Sequence, residues 1–251
     1  MRRRGSLCLS PLASVFAPVS GNSPSCTTGS AMIGLGAVGE VAVDVVVRLF
    51  VGLGLAVAAG PVIARLVRRS ANVPLPRHHV AETIAAAAVA GAGVAFWPPS
   101  VIAVGAAFVL LGIPAAAVDA LEHRIPDSLS LPLCGATVIC TVVAAVAGVD
   151  AGSGLRALAG GVGWGLLFLV SHLLSGQPGP GDVKLAPSVG VLLGWFGWNW
   201  VLIGLVVAYV LTAVTGLICV LLRRYSFRAG QVPMGPSMVA AALTCGTLAQ
   251  W

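Results

Sequence analysis

From about residue 43 onward the chain is a succession of apolar runs separated by short polar connections. A helix rises about 1.5 Å per residue, so about 20 apolar residues cross the hydrocarbon layer of a bilayer. This gives eight candidate spans, at about 43–66, 81–97, 100–120, 129–149, 155–175, 183–197, 199–222 and 234–250; the second, sixth and eighth are short. Of the 251 residues, 58% are hydrophobic and 9% charged, with a mean hydropathy of +0.99. A soluble domain carries about 25% charged residues. The expectation is therefore an all-α integral membrane protein, a polytopic bundle of about eight (seven or eight) transmembrane helices with the bilayer as its solvent.

Residues 1–31 are different: rich in Ser and Pro, opening on Met-Arg-Arg-Arg, with an apolar stretch broken by Pro and Ser. That is not the continuous apolar core of a signal peptide. Either a disordered tail or upstream sequence preceding a true start at Met32 is expected, leaving residues 32–251 as the membrane domain. The net charge of +6 does not imply a nucleic-acid partner, because the basic residues sit at the ends of apolar runs, where membrane topology accounts for them. The cysteines at 8, 26, 134, 140, 219 and 245 form no CxxC pair, so neither a metal site nor a disulfide framework is expected, and no cofactor is called for. Trp195, Trp198 and Trp200 read as an interfacial belt.

Charge also orients the chain. The first, third, fifth and seventh connections hold nine of the fourteen Lys and Arg, whereas the intervening ones hold only Arg156; Arg48 and Arg2–Arg4 make up the rest. The positive-inside rule then places the odd connections in the cytoplasm, with the tail arginines disagreeing. Glu40, Asp44 and Arg48, four apart, read as an ion-pair ladder on one helix face.

Acids are costly in an apolar span, at about 2.5–3.5 kcal/mol near the bilayer centre. Asp119 closes the third span and Asp182 opens the sixth, 63 positions later. The loop count brings both to the cytoplasmic face at similar depth. Two carboxyl groups sharing a site cannot both ionise readily, so one can polarise a peptide carbonyl while the other draws a proton from water. Around Asp182, Gly179-Pro180-Gly181 forces an irregular entry into a helix, and the acid near that N-terminus is equally a plain cap. Asp127, after Pro126, reads as an N-cap or first-turn acid of the fourth span. Glu122 and His123 read as solvated loop groups. Lys184 either neutralises Asp182 or faces headgroups, and His172 reads as an interfacial histidine.

Three stretches at these positions resemble the type IV prepilin peptidases, GxGD-class intramembrane aspartyl proteases. Asp119 to Pro132 (DALEHRIPDSLSLP) resembles the first family block, with Pro126 and Asp127 in its IPD. Gly179 to Leu185 (GPGDVKL) is similar to the G-x-G-D-x-K-L block, with Gly179, Gly181 and Lys184 as supporting residues. Gln231 to Pro236 (QVPMGP) is similar to the P-F-G-P block and supplies Pro233, Gly235 and Pro236; Met234 replaces its aromatic residue. The resemblance covers about residues 45–250. It implies that Asp119 and Asp182 are catalytic acids of an endopeptidase in the bacterial inner membrane, cutting the leader from prepilin-like precursors at the cytoplasmic face. Many members also carry a Cys-rich zinc domain after the first span and N-methylate the product. Here that connection is about 15 residues without Cys, which resembles a peptidase-only form. The competing readings are a GxGD protease with other clients, and a small transporter or pilus-assembly scaffold whose paired acids bind ions.

Overall fold

A computed structural model describes residues 29–72, 76–148, 151–221 and 233–250. The chain divides into two units, Met1–Ala42 and Val43–Trp251, and the second unit is the helical bundle that carries both acids. The expectations for the N-terminal tail fall on residues 1–28, outside the described residues, apart from 29–31 at the start of a helix.

Every regular element among the described residues is helical. The α-helices are α1 (Gly29–Ala58), α2 (Gly60–Ser70), α3 (Arg77–Val94), α4 (Pro99–Ala107), α5 (Ile113–Glu122), α6 (Asp127–Val146), α7 (Ala151–Ser175), α8 (Pro180–Phe196), α9 (Trp198–Leu221) and α10 (Gly235–Leu248). A π-helical turn, Phe108–Gly112, joins α4 to α5 into one continuous stretch. Each expected span falls on a helix, but the expected count of membrane crossings is not confirmed. Among the described residues, four stretches are long and apolar enough to cross a bilayer: Pro99–Glu122, Asp127–Val146, Gly152–Ser175 and Trp198–Leu221. A fifth arises if Val43–Leu55 and Gly60–Ser70, bent by 42° where Pro61 opens α2, count as one span.

Length and charge account for the difference. The 17 residues of α8 and 14 of α10 give lengths of about 25 and 21 Å, short of a hydrocarbon layer of about 30 Å. The first turns of α3 carry Arg77, His78, His79 and Glu82. α8 and α10 are largely enclosed by other helices, whereas α3 buries one face and leaves Val89 74% exposed. α8 packs against α6, α7, α9 and α10 and buries Leu185, Val189, Leu192 and Leu193. In contrast, Leu166, Leu173 and Leu174 of α7 and Leu202, Val206 and Leu217 of α9 face outward, as lipid-exposed positions should.

The closest packing joins α7 to α8. Ala157, Gly161 and Gly165 present small residues every fourth position to Gly194, Gly190 and Pro187 in turn. A β-carbon at Gly194 would lie 2.6 Å from the Ala157 Cα, and one at Gly160 would lie 2.7 Å from the Gly190 carbonyl oxygen. Without a hydrophobic effect between helices in lipid, such close approach is what holds them together.

The even connections meet at one end of the bundle. There Arg156 donates from Nε to the Gly194 carbonyl and from Nη2 to the Trp195 carbonyl, both at 2.8 Å, satisfying the last carbonyls of α8. Trp97 stacks edge-on against Phe196, with ring centres 5.4 Å apart. The interfacial belt needs one correction: Trp195 is buried and donates from Nε1 to Thr141 Oγ1 at 3.1 Å, while Trp198 is 56% exposed.

Candidate active site

The odd connections meet at the opposite end, tied pairwise by contacts. Asn72, after α2, reaches the last residue of α5; the loop after α5 reaches the start of α8; and the start of α10 reaches α5. Both acids lie in this cluster. Asp119 is in the last turn of α5 and 4% exposed; Asp182 is in the first turn of α8 and 8% exposed. Both line one cavity of about 510 Å³, together with His123, Arg124, Ile125, Gln177, Gly179, Gly181, Lys184, Tyr209, Thr212, Pro233 and Met234.

The local sequence explains how each acid is held. Gly179 is the N-cap of α8 and Asp182 its third residue; the Gly179 N–H donates to Asp182 Oδ2 at 3.1 Å, one half of a capping box. Oδ1 of the same carboxylate is buried and accepts no hydrogen bond from any described residue. Capping thus engages Oδ2 of Asp182 and leaves Oδ1 without a partner among the described residues. Asp119 Oδ2 accepts from the Gly235 N–H at 3.0 Å, across 116 positions of sequence. Burial first, and the Asp119 charge second, push the Asp182 carboxyl up to about 7, against the pull of the Gly179 N–H.

The three sequence blocks turn out to be one contact set. Ile125 is buried between the second and third blocks: a β-carbon at Gly181 would lie 3.0 Å from the Ile125 Cβ and 3.1 Å from its backbone nitrogen, and one at Gly235 would lie 3.1 Å from its Cδ1. Pro126 is the N-cap of α6 and its carbonyl accepts from the Leu129 and Ser130 N–H groups at 3.1 Å. Asp127 is the first-turn acid expected, but it makes no cap bond and pairs with Lys184 at 2.6 Å. That pairing differs from the expected neutralisation of Asp182 by Lys184. Pro236 follows Gly235 and lies on the wall of a neighbouring groove. Gln231 and the basic residues Arg223, Arg224 and Arg228 lie outside the described residues.

Several residues carry more than the sequence suggested. Glu122 is not a solvated loop group: its side chain is 9% exposed and accepts from the Asn72 N–H at 2.6 Å and Arg124 Nε at 2.9 Å. Arg124 also donates to the Ser70 carbonyl at 3.2 Å, so the pair ties the end of α2 to the loop following Asp119. His123 closes α5 in the left-handed region, with φ of 53° and its N–H on the Asp119 carbonyl at 2.9 Å. His172 donates from Nδ1 to the Pro178 carbonyl at 2.7 Å and so holds the loop that delivers Gly179. Asp44 and Arg48 make the expected ion pair at 2.8 Å. Tyr209 and Thr212 were missed; polar hydroxyls in the highly apolar α9 were the available signal.

Residues 106–221 match the profile of the type IV leader peptidase family. Two curated relatives, from Burkholderia pseudomallei strains 1026b and K96243, are each named prepilin leader peptidase/N-methyltransferase. Each is 32% identical over 190 residues, which cover 71% of this chain and 58% of the relative. The chain thus spans less than two thirds of the length of these relatives. No solved structure matches it.

Proposed function

We propose, from the match of residues 106–221 to the type IV leader peptidase family, that the chain is an aspartyl endopeptidase of that family removing the leader from prepilin-like precursors. The observation that carries the proposal is the meeting of two buried carboxylates, from α5 and α8, on one cavity of about 510 Å³. The cavity has room for a water and a peptide carbonyl.

In the reaction, the carboxyl that holds the shared proton donates a hydrogen bond to the scissile carbonyl. The ionised partner accepts a proton from water as the water oxygen bonds to the carbonyl carbon. Collapse of the tetrahedral species breaks the C–N bond, and the amine leaves with a proton from the dyad. The pair titrates together, so neither role is fixed to one residue. Hydrogen bonds from Gly179 and Gly235 orient the two carboxylates. The clustering of basic connections at this end supports a cytoplasmic active face in a bacterial inner membrane. The reading covers hydrolysis alone, in keeping with the short, Cys-free connection between α2 and α3.

Co-expression with a pilin-like precursor, followed by mass measurement of the product, tests this. Asp119→Asn and Asp182→Asn are each expected to abolish cleavage, by about 10³-fold or more, while the chain still inserts. Normal cleavage by either variant would falsify the dyad. An ion-binding scaffold predicts no cleavage by the unaltered chain.

A further inference from the structure

Among the four described stretches long enough to cross a bilayer, α9 is the least enclosed, yet Tyr209 and Thr212 on it line the cavity that holds both acids. We propose that the Tyr209 hydroxyl is a third catalytic group, donating a hydrogen bond to the scissile carbonyl oxygen as it becomes an oxyanion. The inference rests on the peptidase reading and deepens it.

Depth is the first observation. A tyrosine in a membrane helix ordinarily marks the headgroup region, with its ring in lipid and its hydroxyl in water. Tyr209 stands 11 residues after Trp198 and 12 before Leu221, about 17 and 18 Å from the two ends of the helix. No headgroup region accounts for a hydroxyl there, and a polar group at such depth calls for a site to serve. Availability is the second. Three other polar side chains on the cavity are engaged: Arg124 with Glu122, Lys184 with Asp127, and Thr212 with the Ala208 carbonyl at 2.8 Å. The Tyr209 hydroxyl has no hydrogen-bond partner among the described residues. Asp182, 8% exposed, leaves Oδ1 open on the same cavity. An open donor and an open acceptor on one cavity suit a guest offering both counterparts, an attacking water and the carbonyl it attacks. Fixity is the third. The Tyr209 ring lies 6.2 Å from that of Phe168 on α7; Phe168 is fully buried and stacked on Trp164 at 5.5 Å; and Trp164 Nε1 donates back to the Val201 carbonyl of α9 at 3.2 Å. A donor held in place before the reaction is what stabilises developing charge.

In the step, the water oxygen bonds to the carbonyl carbon and a water proton passes to the ionised carboxylate. The carbonyl π pair moves to oxygen, where the protonated carboxyl and the Tyr209 hydroxyl both donate. Tyr209 keeps its proton throughout.

The test measures kcat and KM separately, with the full chain in vesicles and a pilin-like precursor. Tyr209→Phe keeps the ring and removes the donor. It is expected to lower kcat at least tenfold, toward the hundredfold usual for one oxyanion donor, with KM within about threefold and the unfolding temperature unchanged. Thr215→Val, which removes an exposed hydroxyl bonded to the Leu211 carbonyl of the same helix, is expected to cleave normally. A precursor peptide carrying a secondary alcohol in place of the scissile carbonyl should bind Tyr209→Phe at least tenfold more weakly than the unaltered chain. An unaltered kcat, a loss confined to KM, a loss that follows a lowered unfolding temperature, or equal binding of the alcohol overturns the role of Tyr209 while the peptidase reading stands. Absence of cleavage by the unaltered chain overturns the peptidase reading itself.

Discussion

Gly179, Gly181 and Gly235 look alike as motif letters, yet their surroundings differ. A β-carbon at Gly179 would meet nothing closer than Asp182 Oδ2 at 3.4 Å, in an ordinary backbone conformation with φ of −61°. At Gly181 it would press on the Ile125 backbone nitrogen at 3.1 Å, and at Gly235 it would sit 2.7 Å from the Asp119 carboxylate. We expect Gly179→Ala to cleave within about threefold of the unaltered rate, and Gly181→Ala and Gly235→Ala to lose about tenfold or more, since overpacking costs about 1–3 kcal/mol. Equal losses at all three positions would show that the glycines serve chain flexibility instead. The raised Asp182 carboxyl sets a pH dependence. Its folded value near 7 exceeds the ordinary 3.8, so the folded state prefers the protonated form, and ionisation at higher pH removes the proton that the pair shares. Cleavage, measured as kcat/KM, should therefore fall as pH rises through about 7; a rate still climbing well above that value would count against a shared proton. The sequence placed these two acids because an acid beside an apolar span needs a reason. It could not place Glu122 or His172, whose importance comes from backbone partners brought in by folding.

Among the elements, the positions of the helices were legible, and which of them are long enough to cross a bilayer was not. Periodicity and hydropathy locate α6, α7 and α9 because lipid contact imposes those properties. α8 and α10 are apolar because other helices surround them, so their lengths obey the bundle rather than the bilayer. The glycine seam between α7 and α8 was present in the sequence, but spacing alone does not say which helices pair. Arg156 is the instructive case. Charge counting makes it a topology marker, whereas the structure makes it the cap of α8. Arg156→Ala would leave the Gly194 and Trp195 carbonyls unpaired, at about 1–3 kcal/mol. In detergent this should lower the unfolding temperature by about 5 °C, taking about 2–4 °C per kcal/mol. Cleavage per folded molecule should hardly change, because the clamp lies at the end remote from the acids. Loss of activity without loss of stability would contradict that division of roles.

The molecule as a whole has two chemically distinct ends, and the alternation of basic and uncharged connections foretold them without knowing the contacts. Cysteine labelling of intact cells tests this sidedness. In a chain otherwise free of cysteine, single cysteines at positions 77 and 128 should react from one side and a cysteine at 198 from the other. Reaction of 77 and 128 from opposite sides would dismantle the arrangement. One bond spanning the whole chain also carries a temporal meaning. Asp119 is held by the Gly235 N–H, contributed by the last described helix. On the proposed reading, a ribosome that has delivered both acids has not yet delivered the backbone donor that holds Asp119. Cleavage would then wait for α10 to dock, and copies still short of it would be silent toward the proteins being inserted around them.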